Sequence, residues 1–173
     1  NEREFLSDYG LHSISKLDPA YDQVDIDHGG GGSYVAFPAL IAESLYKGGY
    51  SDPAEDILER TLWWGQRLPY WGDSMVANQI YYRWDTPLQC ALDAAAGAQC
   101  VIFGMFGVRV ELNGDIVVDP HPPKFSPNIR LKGVKIRGTS FDIAANRSDF
   151  EVKVNHRVIR SKIGVPVVLT TKG

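Results

Sequence analysis

Cysteine and histidine are scarce in this sequence. It has two cysteines, Cys90 and Cys100, and four histidines, His12, His28, His121 and His156. Ten residues apart on one helix, the cysteines would stand about 15 Å from each other, beyond the roughly 7 Å reach of a disulfide. They read as free, buried thiols. The histidines show no ligand spacing, and no Ser-His-Asp set stands out, so neither a metal nor a cofactor is expected. Long apolar runs are missing too. The least polar stretch, Cys90 to Val110, is interrupted by Asp93, Gln99 and glycines. It reads as a buried helix, short of the roughly 20 apolar residues that span a bilayer, so no membrane partner is expected. Positive charge is not in excess. A net charge of −3 and a pI near 5.8 argue against nucleic acid and anionic membranes as partners. The first residue is Asn1, and no charged-then-apolar leader follows. The expectation is a piece of a longer chain whose targeting cannot be read.

What is present is globular. Hydrophobic residues make up 44% and charged residues 23% of 173 residues, away from the composition of disorder. Residues 1–32 show little periodicity and read as a long irregular loop with a short helix at its start. A first helix is expected from Pro38 to Lys47, with Phe37, Ile41 and Leu45 on one face joined by Leu40, stopped by Gly48-Gly49. Within it Glu43 and Lys47 have the spacing of a surface ion pair. A second helix is expected from Pro53 to Gln66. Asp52 is its cap and Glu55 the capping-box partner, and Ile57, Leu58, Thr61, Leu62 and Gly65 form its buried side. A short helix is expected around Ser74 to Tyr81. Another begins at Thr86-Pro87 and runs through Ala94-Ala95-Ala96-Gly97-Ala98 to Phe103, where small residues allow close packing.

After Gly107 the period becomes two. Val108, Val110 and Leu112 alternate with polar residues, Asn113-Gly114 signals a hairpin, and Ile116 to Val118 return. Further strands are expected at 129–136, 140–144, 150–154, 158–159 and 165–170. The chain is therefore divided into a helical part, residues 1–107, and an antiparallel β-domain, residues 108–173.

Chemistry is concentrated in the helical part. Asp93 sits in Leu92-Asp93-Ala94-Ala95-Ala96-Gly97, where an isolated buried carboxylate must be paired, hydrogen-bonded or used. Trp71-Gly72-Asp73 and Trp84-Asp85 each pair a flat ring with a carboxylate, an arrangement that binds sugars by ring against C–H face and carboxylate against hydroxyl. Plain roles stand beside these. Asp93 can bond a neighbouring loop, Asp73 and Asp85 can cap helices, and tryptophans are commonly core. Asp25, Asp27 and His28 precede Gly29-Gly30-Gly31-Gly32. A glycine run can cradle an anion, but this one lacks the Lys and Ser/Thr of a P-loop. His-Gly-Gly-Gly has no Gly-x-Ser-x-Gly partner of the esterase kind. A plain flexible or closely packed backbone is the simpler reading.

One block resembles a known group. Asp85-Thr86-Pro87-Leu88-Gln89, Leu92-Asp93, Ala96-Gly97-Ala98-Gln99 and Phe103-Gly104-Met105-Phe106-Gly107 look like the last hairpin of the six-hairpin (α/α)6-barrel glycoside hydrolases, of the family-95 and family-65 type. The family-95 stretch reads Pro-Phe-Gln-Ile-Asp-Gly-Asn-Phe-Gly, with its Asp in the catalytic base apparatus. Gln89 matches that Gln and Asp93 that Asp, while Ala94 and Ala95 stand where Gly and Asn follow. The resemblance implies an α+β chain: αα-hairpins from the end of an (α/α)6 barrel, followed by a small antiparallel β-domain. It also implies an inverting hydrolase of a carbohydrate substrate, with Asp93 as base or its orienter and Trp71, Asp73, Trp84, Asp85 and Gln89 facing the sugar. The acid and the rest of the barrel would lie outside this chain, leaving the chain inactive alone. A glycoside phosphorylase and a non-catalytic carbohydrate-binding module are the alternatives.

Overall fold

The computed structural model describes residues 2–22, 30–34, 36–67, 74–76 and 91–170. Its described elements are four α-helices, one π-helical segment and eleven strands in four small antiparallel sheets. This corrects the expected fold. The chain forms a small α+β structure, not hairpins cut from a large helical barrel. The reason lies in the first half, where strand pairs are interleaved with the helices. β1 (Leu6–Ser7) pairs with β2 (Gly10–Leu11), and β3 (Gly32–Tyr34) pairs with β4 (Ser74–Val76). The helix expected from Ser74 is thus a strand at its start. Strands of two or three residues are too short to show alternation, which is why the sequence pattern concealed them.

The chain divides into two compact units. The first contains residues 1–44 and 52–100, the second residues 45–51 and 101–173.

In the first unit, helix α1 (Glu2–Phe5) leads into the β1–β2 hairpin. Helix α2 (Ala36–Lys47) starts two residues before the expected position, and α3 (Ser51–Arg67) takes Asp52 into its first turn. The buried side of α3 is Ala54, Ile57, Leu58, Thr61 and Trp64, spaced three and four apart as a helix requires. Arg60 fastens the N-terminal hairpin to α3. Its Nη1 donates to the carbonyls of Ser7 (2.8 Å) and Asp8 (2.7 Å), while Nε and Nη2 hold Asp56 one turn back. Trp64 Nε1 donates to Tyr9 O at 2.6 Å, and the Tyr9 ring packs 5.3 Å from Trp63. Trp64 is therefore core. Gly30 also has a packing role, since at φ +73° a Cβ there would lie 2.4 Å from Ile14 Cβ.

The buried face of α2 differs from the expected one. Phe37 and Ile41 are exposed, whereas Ala39, Ala42, Glu43 and Tyr46 are buried. Small side chains let the backbone come close to its neighbours, so the large apolar residues of this helix point elsewhere. Helix α4 (Ala91–Gln99) continues directly into a π-helical turn, Cys100–Met105.

The second unit is β-rich. β5 (Val108–Val110) and β6 (Ile116–Val118) form the hairpin signalled by Asn113-Gly114, and β11 (Val167–Leu169) adds on the other side of β6. As the middle strand, β6 is buried at all three positions. A second sheet holds β7 (Ile129–Ile136), β8 (Thr139–Ala145), β9 (Asp149–Val154) and β10 (Arg157–Lys162), in the order β10-β9-β8-β7. Arg137 and Gly138, both at positive φ, make the tight turn between β7 and β8. Phe141, Ile143, Ala145, Phe150 and Val152 are buried, and the residues between them face outward. No helix among the described residues is long and apolar enough to cross a membrane.

Candidate functional site

Of the six residues singled out for carbohydrate chemistry, Asp93 has a described place, on α4. Trp71, Asp73, Trp84, Asp85 and Gln89 lie outside the described residues, as do Asp25, Asp27 and His28. Asp93 precedes Gln99 by six residues, about 9 Å along the helix axis.

Gln99 leads to a group the sequence pattern missed. Its Nε2 donates to Glu43 Oε2 at 2.9 Å, and Glu43 is only 6% exposed. Glu43 is therefore buried, where its spacing from Lys47 suggested a solvated surface pair. A carboxylate withdrawn from water costs several kcal/mol unless it is bonded, and the Gln99 amide meets part of that need. Cys100 lies beside the pair and is fully buried. Burial first, and the Glu43 charge second, push its thiol up to about 12. Such a thiol stays protonated near neutrality and is no nucleophile. The available signal was the pattern Ala39-x-x-Ala42-Glu43-x-x-Tyr46, in which Glu43 shares a helical face with two small residues and a tyrosine. The Glu43–Gln99 bond ties α2 to α4, the helix that carries Asp93.

The second unit contains a cavity of about 110 Å³. It is lined by Tyr46, Phe103, Arg109, Asp119 and His121 together with glycines that include Gly104 and Gly107. Tyr46 and His121 stack with ring centroids 5.6 Å apart. The His121 N–H donates to Met105 O at 2.7 Å, and the Asp119 N–H to Gly107 O at 3.2 Å, so the wall of the cavity is pinned to the end of the π-helical turn. Asp119 Oδ1 is buried and accepts no hydrogen bond among the described residues. Burial holds His121 below its ordinary pKa, Asp119 opposes that shift, and Arg109 adds to it. Ser51 Oγ is 3.4 Å from His121 Nδ1. Serine, histidine and aspartate thus meet here without forming a relay. No hydrogen bond links Asp119 to the ring, and the histidine nitrogen nearest serine is the one a relay would give to aspartate.

A third polar cluster surrounds His12. Ser7 Oγ bonds its Nε2, and the Tyr21 hydroxyl lies 3.3 Å from its Nδ1. Burial, then the Lys16 charge, lower its pKa, and a hydrogen bond of the ring to the Gly30 backbone acts the other way. With both ring nitrogens engaged, His12 is a structural link between the hairpin, the loop and Gly30. Among the described residues, no three His, Cys, Asp or Glu side chains are grouped to hold a metal ion.

No family model matches the chain, and no curated protein matches its sequence.

Proposed function

We propose that this chain supplies the water-activating part of a glycoside hydrolase, with Asp93 as the general base or the residue that orients it. The observation that carries the reading is the position of Asp93 on α4, a helix tied to α2 by the buried Glu43–Gln99 bond. A base acts well only when its carrier is held to within a fraction of an ångström, and a helix cross-bonded in a core meets that condition better than a loop. The residues around Asp93 also carry the resemblance to the barrel hydrolases' last catalytic segment, although the fold here is a different one.

In the proposed reaction the Asp93 carboxylate takes a proton from water as the water oxygen attacks the anomeric carbon. A second carboxyl group, elsewhere in the protein, protonates the departing oxygen. The two stand about 6.5–9.5 Å apart when the product is inverted. Trp71 and Trp84 offer ring faces to the sugar, and Asp73, Asp85 and Gln89 bond its hydroxyls.

The test is Asp93→Asn in the full-length protein, assayed on a glycoside panel with the product anomer followed by NMR. The amide cannot accept the proton. The expected loss in kcat is about 10²–10⁴-fold, the usual worth of a positioned base, with KM little changed. Turnover unaffected by the substitution overturns the assignment of Asp93. Absence of glycoside cleavage by the unaltered protein overturns the function itself.

A further inference from the structure

The whole-chain charge of −3 hides a strong asymmetry. Residues 128–162, which contain the β7–β10 sheet, hold nine Lys and Arg against three Asp and Glu, while the rest of the chain holds nine against eighteen. One face of this sheet is buried. The opposite face presents the exposed side chains of Arg130, Lys135, Lys153, Arg160 and Lys162, with Asp142, Asp149 and Glu151 among them, so basic groups outnumber acidic ones five to three.

The strand register puts four of the outward residues in one row. Arg130 on β7 pairs with Ala144 on β8, Ala144 with Glu151 on β9, and Glu151 with Arg160 on β10. Two arginines therefore stand at the ends of a row three strand spacings long, roughly 14 Å. The small Ala144 leaves a depression between them. It measures about 230 Å³, and its lining sets Arg130 and Arg160 beside Asn128, Ala144, Asp149 and Glu151. Arg160 reaches Glu151 through Nε at 3.5 Å, yet its side chain is 80% exposed.

We propose that this face binds an acidic polysaccharide, with Arg130 and Arg160 taking carboxylate or sulfate groups and Glu151 and Asn128 taking hydroxyls between them. Guanidinium groups match such anions by two parallel hydrogen bonds. Both phenylalanines of these strands, Phe141 and Phe150, are buried, so the face has no ring to stack on a neutral sugar or an unpaired base. Glu151 at the centre also disfavours a duplex, whose charges follow one another at about 1.7 Å along the axis. A polymer with spaced anions and hydroxyls between them fits the alternation Arg–Ala–Glu–Arg. The choice of a saccharide over other polyanions rests on the hydrolase reading.

The experiment is binding of the 173-residue chain to polygalacturonate by affinity electrophoresis and calorimetry, with dextran and a DNA duplex as comparisons. Arg130 and Arg160 are exposed, so Arg130→Gln and Arg160→Gln leave the core untouched, and Arg3→Gln in the first unit is the control. Polygalacturonate binding is expected, weakened about tenfold by each sheet substitution and unchanged by Arg3→Gln. It should also weaken between about 0.05 and 0.5 M salt as the charges are screened. Failure to bind polygalacturonate, equal binding by the double variant, equal binding to dextran, or tighter binding to the duplex each overturns the proposal. Binding by a protein that cleaves no glycoside overturns the hydrolase alone, and cleavage without this binding overturns the sheet site alone.

Discussion

Gly107→Ala is expected to be the most damaging single-methyl change in the second unit. Gly107 lies where the π-helical turn gives way to β5, at φ +58°, and a Cβ built there would be 1.9 Å from the carbonyl oxygen of Asp119 and 2.5 Å from its carbon. Both are backbone atoms, so no side-chain rotation relieves the clash. Holding alanine in the left-handed region costs about 1 kcal/mol. Separating the two segments by the required ångström or more breaks the Asp119 N–H to Gly107 O bond, 3.2 Å long, and strains the Val108↔Val118 pairing beside it. A buried backbone group left without its partner costs about 1–3 kcal/mol. The total is roughly 2–4 kcal/mol, a large fraction of the 5–15 kcal/mol that ordinarily holds a domain together. Gly133→Ala is the matched control. Its φ is +70°, but nothing lies within 4 Å of the added methyl, so only the conformational cost of about 1 kcal/mol applies. All four tryptophans precede residue 101, so their fluorescence reports the first unit and hydrogen exchange of residues 108–118 must report the second. Opening free energies for Gly107→Ala and Gly133→Ala that agree within about 1 kcal/mol would refute the steric argument.

Two further outcomes follow from buried titratable groups. In a Cys90→Ser background the single thiol, Cys100, should resist a disulfide reagent at pH 8 in the folded chain and react at once in denaturant, because burial and Glu43 push it up to about 12; rapid labelling of the folded chain contradicts this. His121 is held below its ordinary value by burial, so the unfolded chain takes up the proton first. Its contribution to stability is complete above about pH 6.5 and is lost as pH falls below that value. Urea unfolding at pH 7 and pH 5 should show a smaller acid-induced loss for His121→Gln than for the unaltered chain, and an equal or larger loss counts against the burial of a neutral imidazole.

Local pattern carried a good part of this fold. β7 occupies residues 129–136 as alternation required, and the helix from Ser51 to Arg67, which begins two residues before the expected Pro53, follows from its first-turn proline and its three-and-four spacing. Alternation failed for β1–β4, whose two or three residues are fewer than the pattern needs. Helical periodicity failed differently on α2. It ranks faces by apolar size, and that ranking selected Phe37 and Ile41. The buried face instead uses Ala39 and Ala42, whose value is the close approach they permit rather than the area they hide.

The same error hid Glu43. A glutamate four residues before a lysine reads as solvated when its face is taken to be the polar one. Once Ala39 and Ala42 mark that face as the buried one, the carboxylate needs a partner, and Gln99 provides it from 56 residues away. The pairing of Tyr46 with His121 is likewise made between segments with no local signature of each other. Asp93 stood out as a candidate because a charge in a run of small residues is conspicuous within a few positions of sequence. The Glu43–Gln99 bond, which holds its helix in place, depends on two segments meeting. With Asp93 as the base, Glu43→Ala, which removes the acceptor of the Gln99 bond, should lower kcat in the glycoside assay through the placement of α4, and an unchanged kcat counts against that coupling.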